Sequence, residues 1–165
     1  MGVVANKSNA ITSIDAKELV NSNILDGQLR ALVGCAVIAS GDSATSTYRI
    51  GQIPSNARVS QIIVSHPDIG TTTTADVGLY DTSGNGGAVV DADFFAAAYS
   101  LKDGAGHGID VTHRATAFPY NKCDKMLWEA LGLSADPKKM YELALTLVGA
   151  ADAAGDVAVK AYFTI

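Results

Sequence analysis

The densest group of side chains with metal-ligating chemistry is Asp103, His107, Asp110 and His113. Carboxylates and imidazoles are donors that divalent ions take, so this stretch is a candidate cation site. Its His-x5-His spacing, threaded by Gly104, Gly106 and Gly108, matches no common ligand geometry and reads as a solvated loop. Cys123 with His113 offers a thiol and a base, but no third group is placed to orient the imidazole. Gly84-Asn85-Gly86-Gly87 lacks the Gly-Lys-Ser/Thr ending and the following helix of a phosphate cradle, and reads as a hairpin loop. Phe118, Tyr120 and Trp128 form a candidate sugar-stacking platform, although Trp128, within Met126-Leu127-Trp128-Glu129-Ala130, reads as core. Arg49, Arg58 and Arg114 are of the type enriched in interfaces, but singly each reads as a solvated charge on a strand face. The expectation is a protein that is not an enzyme and uses neither metal nor cofactor.

Composition narrows the class further. With 165 residues and 17.0 kDa the chain is expected to be one domain, large enough to bury its own core. Lys and Arg number 12 against 17 Asp and Glu, for a net charge of −5 and a pI near 5.0. The basic residues are scattered, which argues against the counterion-displacing surface that nucleic-acid binding needs. The first residues lack the apolar stretch of a secretory signal, and Asn6 stands where a myristoylation start requires Ser or Thr. The longest apolar run is far short of the ~18 residues that cross a bilayer, so no membrane partner is expected. Cys35 and Cys123 read as two buried free thiols, with a disulfide between them left open because sequence does not give their separation.

Hydrophobic periodicity supplies the elements that must position these groups. Residues 1–28 carry isolated apolar side chains, Ile11, Ile14, Leu19, Val20, Ile24 and Leu25, among Asn, Ser, Thr and Asp. No period of two persists there, which predicts an extended N-terminal arm with one helical turn at 15–20, where Glu18 completes a capping box. Such an arm cannot bury those side chains by itself, so it must lie on its own domain or on a partner. From residue 29 the pattern is β. Leu29, Ala31, Val33, Cys35, Val37 and Ala39 alternate and the opposite face is also largely apolar, as in a central strand between two layers. Short strands follow around Tyr48, around Ile62, at 75–80 and at 88–90. Residues 92–99 lack alternation and follow Asp91, which predicts a short capped helix. A brief strand is expected at 109–112 and a helical turn at 127–131. Tyr141, Leu143, Leu145 and Leu147, then Val157, Val159, Ala161 and Phe163, mark two clear final strands, read as a hairpin with a long loop. About eight short antiparallel strands with no βαβ spacing predict an all-β sandwich of jelly-roll type, residues 29–165.

One resemblance adds to this reading. Tyr48-Arg49-Ile50-Gly51-Gln52-Ile53-Pro54 and on to Val59, then Ala75-Asp76-Val77-Gly78-Leu79-Tyr80-Asp81, resemble a group of tailed-phage virion proteins. Residues 87–95 and 127–137 fit the same pattern. The group is that of the jelly-roll cement, or decoration, proteins of phage heads, and the likeness spans residues 45–165. It implies a virion structural protein on the outer surface of the capsid that stabilises the lattice. Its partners would be the major capsid protein and further copies of itself, as a homodimer or homotrimer. The arm lies outside that likeness; its Ile11, Ile14, Leu19, Val20, Ile24 and Leu25 are expected as capsid or subunit contacts because the arm cannot bury them alone. A carbohydrate- or receptor-binding module of a tail or baseplate is the alternative, and it requires exposed aromatics among Tyr99, Phe118, Tyr120 and Trp128.

Overall fold

The β-rich, turn-punctuated pattern folds into eight strands in two four-stranded sheets. A computed structural model describes residues 11–12, 15–17, 27–102 and 104–165. The strands are β1 (Leu29–Ile38), β2 (Thr47–Pro54), β3 (Arg58–His66), β4 (Thr74–Asp81), β5 (Val89–Ser100), β6 (Gly106–Asp110), β7 (Met140–Leu147) and β8 (Gly155–Thr164). One sheet has the order β1-β8-β3-β6 and the other β2-β7-β4-β5, and every neighbour is antiparallel. Apart from the β4–β5 pair, successive strands change sheet. This interleaving places the first strand beside the last and is the jelly-roll wiring.

Alternating side chains from the two inner faces fill the space between the sheets. Val157, Val159, Ala161 and Phe163 of β8 face Leu143, Leu145 and Leu147 of β7, all buried. Phe94, Phe95 and Phe118 form an aromatic knot with ring centroids 4.9 to 5.4 Å apart. Edge-to-face packing of that kind adds to the area the rings bury. A single helical turn, α1 (Leu127–Ala130), sits in the long β6–β7 connection. The amides of Leu127 and Trp128 donate to the carbonyls of Ala57 and Ser55, which ties this connection to the β2–β3 turn.

At the opposite end the β7–β8 loop ties three loops together, joining the β3–β4 loop through one carboxylate and the β1–β2 loop through its backbone. Asp152 Oδ2 accepts from the Thr71 amide (2.9 Å), the Thr71 hydroxyl (3.0 Å) and the Thr72 amide (3.2 Å). Its Oδ1 accepts from the Thr73 hydroxyl at 2.7 Å. Next to it, the Ala151 amide and carbonyl bond Asp42 and Gly41 of the β1–β2 loop. The Thr73 and Thr71 bonds hold the Asp152 carboxyl well below its ordinary 3.8.

Four expectations are corrected. Residues 92–99 belong to strand β5 and not to a helix. The β4–β5 register shifts three times along its length, and Ala98 adopts a positive φ of 47°. These bulges turn Phe94, Phe95 and Ala96 inward in succession, which removes the period of two that marks a strand. Strands β7 and β8 are not a hairpin; they lie in different sheets. Strand β1 is not central but an edge, and its buried side chains are Ala36 and Ile38, the opposite parity from Leu29, Val33 and Val37. Both of its faces are apolar, so periodicity alone had no basis for choosing between them. Close approach decides it: a Cβ on Gly34 would stand 2.7 Å from the Ile50 carbonyl oxygen of β2. Finally, Cys35 and Cys123 are free and exposed, because Cys35 shares the outward parity of β1 and Cys123 caps the 3-10 turn Tyr120–Lys122.

Candidate functional site

The residues singled out for chemistry do not converge. His107 and Asp110 lie on β6, and the Asp110 carboxylate is taken by its neighbours. It accepts from the Thr112 amide (2.9 Å), the Thr112 hydroxyl (2.6 Å) and the Gln61 side chain (3.0 Å). Burial pushes its pKa up, but these bonds outweigh it and the net shift is downward. His113 stacks on Phe118 at 5.1 Å, and its Nδ1 lies 2.9 Å from the Phe118 carbonyl. Asp103 lies outside the described residues. Among those described, no three His, Cys, Asp or Glu side chains gather as a metal site would require. The Gly84–Gly87 stretch is a surface turn over Ser83–Asn85.

The aromatic candidates scatter as well. Phe118 and Tyr99 are buried and Trp128 is half-buried, its indole N–H donating to Met126 Sδ at 3.2 Å. Tyr120 is exposed, at 78%. The arginines are more engaged than solvated charges would be. Arg58 is buried, and its Nε donates to the Asp124 carbonyl at 3.0 Å. Arg49 lies 3.9 Å over the Tyr80 ring and pairs with Glu142 at 3.3 Å. Arg114 lies 5.3 Å over the Tyr99 ring and donates to the Asp110 carbonyl. For Arg49 and Arg58, both on strands, the sequence gave no sign of this, because the carbonyls and rings they meet come from distant segments; Arg114 lies beyond the end of β6 and not on a strand.

What the fold does assemble is a surface. The outward face of β1 presents Leu29, Ala31, Val33, Cys35 and Val37, with Leu29 exposed at 59%, Val33 at 65% and Val37 at 70%. Beside it on β8 stand Thr164, Tyr162, Lys160, Ala158 and Asp156, in unbroken antiparallel register with Leu29, Ala31, Val33, Cys35 and Val37. The alternation had been legible in the sequence; its outward direction was not. A contiguous apolar stripe on an acidic protein is the kind of surface that meets another protein. Of the arm residues expected at an interface, Ile11 is exposed at 46% and helical, close to the turn closed by the Ala16 amide and the Thr12 carbonyl. Ile14, Leu19, Val20, Ile24 and Leu25 lie outside the described residues.

No model of a known protein family matches the chain, and no curated protein matches its sequence. Solved structures do share its architecture. A chain of the cyanophage Pam1 capsid asymmetric unit is 13% identical, with 84% of this chain and 86% of that one covered at a TM-score of 0.51. A chain in the capsid of Ralstonia phage GP4 is 16% identical, with 84% of each covered at a TM-score of 0.57. At such identities the likeness is one of fold.

Proposed function

We propose that this chain is a non-enzymatic virion structural protein that binds the outside of a tailed-phage head and stabilises the capsid lattice. The observation that carries the reading is the likeness of fold, over 84% of the chain, to chains of two phage capsids. The exposed apolar stripe of β1 supports it, because a protein that works by contact needs an outward apolar surface. The partners are the major capsid protein and further copies of this chain. A rigid two-sheet body spans a junction between capsid subunits. Residues 1–28 act as an arm that reaches a neighbouring subunit through Ile11, Ile14, Leu19, Val20, Ile24 and Leu25, and order on contact costs entropy that the buried apolar area must exceed. Many copies on one shell reinforce contacts that are weak singly. The carbohydrate-binding alternative draws little support, since Tyr120 alone of its aromatics stands well exposed.

Sedimentation of purified protein with heads stripped of it tests the reading. Saturation near one copy per major capsid subunit, or a simple fraction of that, is expected. Protein lacking residues 1–27 should keep the β-rich circular dichroism of the full chain and fail to sediment with heads. Full occupancy by the truncated protein would remove the arm from the mechanism. Absence of head binding by the intact chain, with binding to host glycans, would replace the capsid role itself.

A further inference from the structure

The four strands that border the sheets are β1, β6, β2 and β5, and three of them carry devices that discourage another strand from pairing. Strand β6 is short, five residues from Gly106 to Asp110, and its register with β3 is broken. Strand β2 has a register break at Arg49/Gly51 and ends in Pro54. Strand β5 carries Asp91 and Asp93 and three breaks. Short length, bulges, proline and charge are how sheets protect their borders. Strand β1 has none of these. It runs ten residues, LRALVGCAVI, in uninterrupted register with β8, and Arg30 is its one charge. Among the described residues its other border has no strand partner.

We infer that the free border of β1 is the site at which a second copy of this chain pairs, antiparallel and about a two-fold axis, joining two sheets into one of eight strands. The inference deepens the self-association in the reading above by naming its surface, and it does not depend on attachment to a capsid. Three observations select this occupant. The protein carries a net charge of −5, so two copies repel on average, and β1 brings no carboxylate of its own to a shared border. A two-fold axis perpendicular to the sheet places residues of equal parity opposite one another. The outward set of Leu29, Ala31, Val33, Cys35 and Val37 therefore meets its own kind, with the axis at Val33 or Gly34. Cross-strand apolar pairs of that kind stabilise a ladder. Antiparallel pairing of like borders also uses up both of them, so the assembly stops at two copies instead of growing into a fibre.

Sedimentation equilibrium of the full chain, with and without the double substitution Val33→Lys, Val37→Lys, tests the inference. Both side chains are exposed in the single copy, so the variant should retain the far-UV circular dichroism of the wild type. The wild type is expected at twice 17.0 kDa, and the variant at 17.0 kDa with a dissociation constant raised about a hundredfold or more, because four ammonium groups would be crowded along one ladder. As a second reading, Val33→Cys in a Cys35→Ala, Cys123→Ala background is expected to cross-link two copies on mild oxidation. A wild-type monomer at all concentrations overturns the inference, and so does a dimer or trimer that the lysines leave intact. A full chain that is monomeric, and dimerises only after removal of residues 1–26, assigns the border to the chain's own N-terminal segment and also overturns it. Head binding is read in the separate sedimentation assay, so the two proposals fail independently.

Discussion

At the scale of single residues, the most connected side chains hold the scaffold. Asp152 satisfies four donors of the Thr71–Thr73 stretch with one carboxylate. Its pKa is lowered in the folded chain by those bonds, so the unfolded state binds the proton more readily. The stabilisation is therefore fully present above the ordinary 3.8 and is lost as pH falls below it toward the folded value. Asp42, held down by the Tyr48 hydroxyl and the Ala39 amide, and Asp136, held down by the Ser55 hydroxyl, act in the same sense. Asp152→Asn should lower the melting temperature at neutral pH and flatten its decline between about pH 4 and pH 2. A variant whose melting curve tracks the wild type through that acid range would show that the clasp is energetically silent. Phe118 is a second key residue, fully buried against Phe94 and Phe95. Phe118→Ala should cost about 4 kcal/mol in denaturant unfolding, from lost burial plus the cavity left behind.

At the scale of elements, what the sequence revealed depended on how regular each strand is. Strands β7 and β8 alternate cleanly and their extents were readable, yet their pairing was not, because adjacency in sequence suggests a hairpin that jelly-roll wiring forbids. Strand β5 was misread because its bulges place Phe94, Phe95 and Ala96 inward in turn, and a local pattern cannot announce a shift imposed by a partner strand. The cause is visible in β4. A Cβ on Gly78 would collide with the carbonyl oxygens of Asp91 and Ala92, so the two backbones approach more closely there than any side chain allows. Gly78→Ala should destabilise the fold by about 3 kcal/mol or more through backbone displacement, measured by chemical denaturation. Unchanged stability would mean that β5 slides easily on β4. The outward stripe of β1 was legible as a pattern but not as a surface, since an edge is defined by which strands are absent beside it. The Asp152 clasp is not legible in the sequence because its partners stand 79 to 81 residues away along the chain.

At the scale of the whole molecule, the fold is a stiff slab with its loops gathered at the two ends and its reactive side chains dispersed. The wiring has one more consequence, for synthesis. Strand β8 is the only hydrogen-bonded neighbour of β1 among the described residues, and it also joins β1 to β3. Until residues 155–164 have left the ribosome, the earliest β segment has no place to dock, and the sheet it belongs to cannot close. Folding must therefore wait for nearly the complete chain, through contacts of the longest sequence separation, which is a slow route. Partial translation products would remain open and be cleared by proteases, so that a copy able to assemble is one whose translation has run at least through β8.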